Sequence, residues 1–487
     1  MTESTCYELS SAGRRGLRFP DLDVPESPPE KDFMRKILEL PELSELDVVR
    51  HFTHLSRLNY SVDHGLYPLG SCTMKYNPRV NEVAARLNGF SNTHPLQPNE
   101  TIQGNLSLMY FLQEWLKQIT GFDAFSLQPA AGAQGEFVGG LIIRAYHRSR
   151  KEDTRNKILV PDSAHGTNPA TTNMAGFNII NIPSDQHGNM DIKQLKESCD
   201  QHLAGLMLTN PNTLGLFEEH LLEVVEIVHK NGGLVYGDGA NLNALLGILR
   251  PADTGIDIMH LNLHKTFSTP HGGGGPGSGP VGVVERLKDF LPEPVVGIIK
   301  AGDEDTPPIY GLNRPAHSIG RVKSFHGHFG VLVRAYMYIS MLGAKGLRRV
   351  AEYAVLNANY LMNLLKPKYH LPFDRKCMHE FVLEGCWQDA PDIHALDISK
   401  RLIDYGFHPP TNYFPLIVKE ALMIEPTETE SLDTLKQFTR AMLKISDEAH
   451  SNPEILKTAP HNTHVGRLDE VKAARELVLC CHPTGQN

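Results

Sequence analysis

Cysteine is scarce in this chain: seven residues in 487, none of them in a Cys-x-x-Cys pair. That excludes a disulfide framework and a paired-cysteine zinc site, and an odd set of thiols fits a reducing compartment. Cys480 and Cys481 stand side by side in a polar tail that is expected to be disordered. Long apolar runs are missing too. No stretch reaches membrane-spanning length, and residues 1–15 hold no apolar signal core, so a soluble cytoplasmic protein is expected. Positive charge is in deficit: 47 Lys and Arg against 56 Asp and Glu give a net charge of −9. A nucleic-acid binder usually has the opposite balance. No helical His-x-x-x-His and no Cys/His cluster has ligand spacing, so no metal site is expected. Internal repeats and low-complexity tracts are absent as well.

What remains is an ordinary globular composition, 41% hydrophobic and 21% charged, in a chain long enough for two or three domains. Residues 1–99 read as an N-terminal arm. Pro20, Pro25, Pro28 and Pro29 break its polar opening, and Gly65, Pro68, Gly70 and Pro78 mark later loops. One helix is expected inside it, from the N-cap Ser44 to Arg57. Such a segment cannot build its own core and should wrap a partner subunit or the body of the protein. Residues 100–326 alternate helical patterns, at 104–119, 134–148 and 221–230, with apolar runs at 157–160, 178–182, 205–208, 234–236, 256–263 and 280–284. This rhythm predicts an α/β fold: a mostly parallel sheet covered on both faces, with ligands beyond the carboxyl ends of its strands. A long helix is expected at 327–365. It opens a smaller α+β C-terminal domain, 327–450, with strands at 380–383 and 414–418 and helices at 393–405 and 432–446. Residues 451–487 read as an irregular polar tail.

One lysine is oddly placed for a surface charge. Lys265 lies in His260-Leu261-Asn262-Leu263-His264-Lys265-Thr266, between a predicted strand and the glycines Gly272 to Gly275. Asp238 closes an earlier apolar run, in Tyr236-Gly237-Asp238-Gly239-Ala240-Asn241. An aspartate at a strand end and a lysine one βα-scale unit later is an arrangement that pyridoxal phosphate enzymes use. The lysine bonds the cofactor's aldehyde carbon. The carboxylate keeps the pyridine nitrogen protonated, and the ring becomes an electron sink.

Other candidates sit at predicted strand or helix ends. Gly132, Ala133 and Gln134 open a helix, where free N–H groups suit a phosphate. His165 follows the 157–160 run and offers an imidazole to stack on a flat ring. Thr209 and Asn210 follow the 205–208 run and present short polar groups to a ring hydroxyl or to the substrate. Ala240 is small enough to lie against the ring face opposite His165. Each alone fits an ordinary turn at least as well. Their shared order along the chain favours one site. The run Gly272 to Gly279 is no P-loop, because no Gly-Lys-Ser/Thr follows, and 280–284 reads as a strand rather than a helix. A close backbone turn after the lysine is the better account.

At these residues the sequence resembles the glycine dehydrogenase (decarboxylating) family, the P-protein of the glycine cleavage system. Within it the likeness is to subunit 2, the lysine-bearing half of the two-subunit bacterial form. The resemblance is carried by Tyr67-Pro68-Leu69-Gly70-Ser71-Cys72-Thr73-Met74-Lys75-Tyr76-Asn77-Pro78, Ala164-His165-Gly166-Thr167-Asn168-Pro169-Ala170 and the Asp238 and Lys265 segments. It continues in Ile424-Glu425-Pro426-Thr427-Glu428-Thr429-Glu430 and Val465-Gly466-Arg467-Leu468-Asp469. It implies a fold type I pyridoxal phosphate enzyme with the cofactor on Lys265, its pyridine nitrogen on Asp238, His165 on the ring and the Gly132-Ala133-Gln134 turn on the phosphate. It implies glycine as substrate, a homologous subunit 1 as partner in an α2β2 heterotetramer, and the lipoylated H-protein as second substrate. Glycine would lose CO2 and its aminomethyl group would pass to the lipoyl arm, with His165 or His264 carrying a proton.

Two alternatives stay open. One is another fold type I enzyme, an aminotransferase or a desulfurase, for which Cys72 is the thiol to check. The other is a catalytically silent partner subunit, which would have no reason to keep Lys265.

Overall fold

The apolar runs of the middle of the chain form one sheet. In this computed structural model, which describes residues 3–36, 38–271 and 275–477, its strands are β1 (Ala124–Ser126), β2 (Lys157–Pro161), β3 (Asn178–Ile182), β4 (Leu203–Thr209), β5 (Leu234–Gly239), β6 (Ile258–Leu261) and β7 (Val281–Val283). Gly272 to Gly274, Cys480 and Cys481 lie outside the described residues. The spatial order is β1-β7-β6-β5-β4-β2-β3. Strands β2 to β6 run parallel, and β7 is antiparallel to both of its neighbours. The expected mostly parallel sheet is present. β1 is an addition that the sequence reading missed, because three residues carry no usable periodicity.

Both faces of the sheet are covered, and this is why its strands read as unbroken apolar runs. Alternate residues go to opposite sides. Leu206, Leu208 and Val235 join one core, which also takes residues from the helices Gln103–Thr120 and Leu221–Lys230. Met207, Leu234 and Tyr236 join another, against the helix Gly132–Ser149. A side chain on Gly139 would put its Cβ 2.3 Å from the Tyr236 ring, so glycine there sets how closely that helix lies on the sheet.

The helix Phe329–Leu365 ties the two parts of the chain together. Val331, Leu332 and Val350 pack into the large core, while Ala358, Leu361 and Leu365 pack with Phe381, Leu422 and Phe438 in the smaller one. It is broken at Gly343, where φ is 58°. The smaller sheet has the order β10-β12-β11, with β10 at Phe381–Glu384, β11 at Thr411–Asn412 and β12 at Ala421–Ile424, all antiparallel.

Two expectations fail here, and three strands were not expected. Residues 414–418 form a turn, not a strand; Pro415 has no N–H to give to a ladder. The fully buried β12 and the hairpin β8 (Val295–Lys300) with β9 (Ile309–Asn313) went unforeseen among prolines and glycines. The tail is not wholly irregular, since Glu454–Lys457 and Glu470–Arg475 are helical.

The arm holds the expected helix, Glu45–Leu58. Ser44 Oγ accepts the Asp47 N–H at 3.2 Å, and the Asp47 carboxylate accepts the Ser44 N–H at 3.1 Å. Further on, Leu66 is buried in the smaller core and Ala84 in the larger, so residues 66–84 lie along both.

Candidate active site

Parallel pairing lines up three polar residues. Thr209 ends β4, its register partner is Asp238 on β5, and the partner of Asp238 is His260 on β6. Register partners in adjacent strands point to the same face, so the three side chains form a row at the carboxyl end of the sheet. All are buried.

Asp238 is the fixed anion of this row. Its Oδ1 accepts the Ala240 N–H at 2.9 Å and lies 3.4 Å from His260 Nε2; its Oδ2 accepts Asn168 Nδ2 at 3.2 Å. Burial pushes its pKa up, but His260, the Ala240 N–H, Lys265 and Asn168 together hold the carboxyl below its ordinary value. The Asx-type bond to Ala240 and the proposed ionic role therefore coexist.

A second carboxyl, Glu136 on the helix Gly132–Ser149, comes close. Asn168 Nδ2 bridges the two, donating to Glu136 Oε2 at 3.1 Å. Burial first and the Asp238 charge second push Glu136 up to about 7. Two buried carboxylates this close do not both ionise readily, and Asp238 keeps the charge. Glu136 Oε1 accepts Thr167 Oγ1 at 2.8 Å, and that hydroxyl lies 2.8 Å from His165 Nδ1. Sequence reasoning missed Glu136, Asn168 and His260 as site residues, although Asn168 and His260 stand in the quoted segments and Glu136 lies two residues past the Gly132-Ala133-Gln134 turn. No local signal distinguishes them. Only the packing of a helix across three strands brings them together.

His165 has an exposed face and lies 5.6 Å from the Phe414 ring, inclined at 64°. The surrounding protein still desolvates it enough, with Lys265 second, to lower its pKa. His264 is held from behind: its Nδ1 accepts the Ser278 N–H at 3.2 Å, and His271 stands 5.7 Å away ring to ring. Burial, then the charges of Lys265 and His271, drive it down to about 3, so it is neutral at ordinary pH.

Lys265 lies on the short helix Leu263–Thr266 just past β6. Its Nζ donates to the Ser71 carbonyl at 2.7 Å. Its charge acts on Asp238, Glu136, His165, His260 and His264, which places the lysine and the polar row in one electrostatic neighbourhood. The loop behind the lysine fits tightly. A Cβ on Gly279 would stand 2.0 Å from the Ala131 carbonyl oxygen, and one on Gly132 would stand 2.3 Å from Asn262 Oδ1. Glycine at both positions lets the start of the Gly132 helix sit against the lysine turn.

That helix start has no side-chain cap among the described residues; the Gly135 N–H donates to the Ala131 carbonyl at 3.0 Å. The N–H groups of Gly132, Ala133 and Gln134 are the donors that a helix N-terminus leaves without intrahelical partners. Gln134 itself is tied down, accepting the Ala130 N–H at 2.7 Å and donating to the Val322 carbonyl at 2.7 Å. Thr209 Oγ1 is buried with no partner among the described residues, whereas Asn210 Oδ1 is taken by the Glu218 N–H at 3.1 Å. A cationic amine, a held carboxylate, an open helix start, an orphaned hydroxyl and an open imidazole face are a donor set that fits pyridoxal phosphate.

Comparison with known proteins shows the family and the fold. Residues 350–463 match the family described as "Glycine dehydrogenase, C-terminal domain". A protein of Caldanaerobacter subterraneus subsp. tengcongensis, "Probable glycine dehydrogenase (decarboxylating) subunit 2", is 58% identical over 481 residues, 98% of each chain. One of the same description from Alkaliphilus oremlandii is 56% identical over 478 residues, 97% of each chain. Among solved structures, a glycine decarboxylase (P-protein) of the glycine cleavage system in inhibitor-bound form superposes with a TM-score of 0.72 at 22% identity, covering 85% of this chain and 93% of that one. A glutamate decarboxylase of Lactobacillus brevis gives 0.62 at 14% identity, covering 87% and 96%. The last two likenesses show the fold, that of the fold type I pyridoxal phosphate enzymes. Identity above one half along almost the whole length shows the family: the chain belongs to the glycine dehydrogenase (decarboxylating) subunit 2 family.

Proposed function

We propose that this protein is the lysine-bearing subunit of a glycine dehydrogenase (aminomethyl-transferring). It would bind pyridoxal 5'-phosphate, decarboxylate glycine and pass the aminomethyl group to the lipoyl arm of the H-protein. The observation that supports this reading is that the Lys265 charge acts on Asp238 while the Gly132 helix start packs against Asn262 of the lysine turn, in a chain related along almost its whole length to subunit 2 proteins. The partners would be a homologous subunit 1, in an α2β2 heterotetramer, and the lipoylated H-protein.

When bound, pyridoxal phosphate supplies an electron sink for the pair left on carbon as glycine loses CO2. The chain's own residues do the rest. Lys265 would hold the cofactor's aldehyde carbon. Asp238 would keep a proton on the pyridine nitrogen, because its own charge is held by His260, Ala240, Lys265 and Asn168. The N–H groups of Gly132, Ala133 and Gln134 would hold the phosphate. His165, Ala240 and Thr209 would be the side chains at the ring, and Thr209 brings a hydroxyl with no partner among the described residues.

A proton has a path from His165 through Thr167 to Glu136, whose carboxyl changes charge near neutrality. His264, neutral and fixed by Ser278, is a poorer proton carrier. In the transfer step the aminomethyl carbon bonds one lipoyl sulfur. The S–S bond breaks, and its electron pair stays on the second sulfur, which takes a proton. Glycine offers almost no apolar surface, so selectivity must come from excluding larger side chains.

The desulfurase alternative is disfavoured by Cys72. Burial pushes its thiol up to about 11, with Lys265 opposing and Glu425 and Glu380 adding to the rise, so it is a poor nucleophile. The test of the main reading is Lys265→Ala. The variant should fold and pair with subunit 1, show no visible absorbance of lysine-bound cofactor, and exchange no labelled CO2 with glycine. Exchange retained in that variant defeats the assignment.

A further inference from the structure

A second group of buried ionisable side chains reaches the lysine from the smaller sheet. His379, Glu380 and Glu425 are all fully buried, and one ligating atom of each lies within 4.8 Å of the others. The antiparallel ladder puts the two carboxyls side by side. Phe381 and Ile424 are register partners, Glu380 precedes the first and Glu425 follows the second.

Both carboxyls grip one turn of the N-terminal segment. Glu380 Oε2 accepts the Ser71 N–H at 2.6 Å, and Glu425 Oε2 accepts the Thr73 N–H at 2.9 Å. Ser71 and Thr73 both have left-handed backbones, with φ of 62° and 50°. Residues with a Cβ keep that conformation only where their surroundings enforce it. Other contacts add to the grip. Thr411 Oγ1 donates to the Gly70 carbonyl at 2.9 Å, Leu69 bridges to Ile424, and Asn243 Nδ2 donates to Glu425 Oε1 at 3.3 Å. Between the two gripped N–H groups, the Ser71 carbonyl accepts Lys265 Nζ at 2.7 Å.

Resting on the reading above, in which Lys265 carries the cofactor, we propose that Glu380 and Glu425 are positioning residues for that lysine. They clamp the 70–73 turn so that the Ser71 carbonyl receives the Lys265 ammonium whenever the lysine is not bonded to the cofactor. A lysine that must leave and return on every turnover then has one fixed resting place within reach. A proton shared in the cluster suits the geometry better than a metal ion. The outer carboxyl oxygens already accept backbone N–H groups, and the Lys265 charge, felt by both glutamates and by His379, would repel a cation. Burial, then the Glu425 charge, pushes Glu380 well up, which favours a proton shared by the two carboxyls; His379, pushed down by burial to about 3, is neutral. Among the described residues the ionisable groups around the turn include Lys265, Cys72, Tyr67, His379, Glu380 and Glu425, with the Lys75–Glu428 pair just beyond.

The test uses the full chain, loaded with pyridoxal phosphate and paired with its partner subunit. Wild type, Glu380→Ala, Glu380→Gln and Glu425→Ala are compared in the pH midpoint of the lysine-bound chromophore, in kcat and in KM for glycine. The alanine variants should move the midpoint by about one pH unit and lower kcat by about 10- to 100-fold, with KM nearly constant. Glu380→Gln should restore most of the loss, because it keeps an oxygen for the Ser71 N–H and mimics a neutral carboxyl. Thr411→Val, which frees only Gly70, should shift the midpoint the same way by less, and it decides the matter should Glu380→Ala not fold. An unmoved midpoint, no rescue by glutamine, or one tightly bound divalent metal per chain lost in His379→Ala overturns the clamp. No chromophore in the wild type defeats the cofactor reading itself; a normal chromophore indifferent to all these variants defeats the clamp alone.

Discussion

The ammonium of Lys75 donates a 2.8 Å hydrogen bond to the carbonyl of Thr266, the residue that follows Lys265. Lys75 is almost fully buried and also donates to Tyr338 Oη at 3.1 Å and to Glu428 Oε1 at 2.7 Å. Six residues on, Asn81 Nδ2 donates to Ser268 Oγ at 2.8 Å. The segment read as an arm therefore braces the lysine turn from its far side. Lys75→Met would leave the Glu428 carboxylate buried and unpaired. Breaking a buried pair in this way costs roughly 3–5 kcal/mol. Urea unfolding should show a loss of that order, and cofactor affinity should fall with it.

Asp238→Asn tests the electron sink. The amide can occupy the same space but brings no negative charge to the pyridine nitrogen, and it cannot accept from both Asn168 and Ala240 as the carboxylate does. Lysine-bound cofactor should still form. Glycine decarboxylation, measured by release of labelled CO2, should fall by at least about 100-fold. An unimpaired rate would mean that the ring nitrogen needs no anion here.

Glu136 should write itself into the pH dependence of stability. Its folded pKa, about 7, lies above the ordinary carboxyl value of 4.5. The folded state therefore holds a proton that the unfolded state has lost between these values. Its favourable contribution is complete below about pH 4.5 and disappears as pH rises through about 7. Relative to Glu136→Gln, the wild type should lose on the order of 2 kcal/mol across that window. Chemical denaturation at pH 5, 6, 7 and 8 measures the difference, and parallel curves for the two proteins would refute it.

Gly279→Ala probes the fit of two loops. The added Cβ would stand 2.0 Å from the Ala131 carbonyl oxygen, a backbone atom that cannot swing aside. The start of the Gly132 helix must then shift away from the lysine turn. The expected result is cofactor affinity weakened by about tenfold or more, read by titrating pyridoxal phosphate into the stripped protein, with secondary structure unchanged.

Much of the large sheet was legible in the sequence, because its strands are buried on both faces and their apolar runs need no partner to be noticed. Residues 178–182 and 221–230 coincide with a strand and a helix end to end. The smaller sheet was harder. Its strands span two to four residues, and the apolar stretch around Phe414 turns at Pro415 instead of extending. Lys265, Asp238, His165 and the Gly132 turn could be named from their places at strand and helix ends. Glu136, Asn168 and His260 could not be singled out, since a carboxylate on a helix or a histidine in a strand has an equally ordinary structural explanation.

By itself the sequence determined which chemistry-bearing residues follow which strand, because apolar periodicity fixes the strands and the chain order fixes what comes after each. The tertiary structure alone decided who holds them. Ser71 meets Lys265 across 194 positions, and Thr73 meets Glu425 across 352. Contacts at such separations depend on where sheet register and helix packing bring distant backbones together, and no local pattern of residues records that.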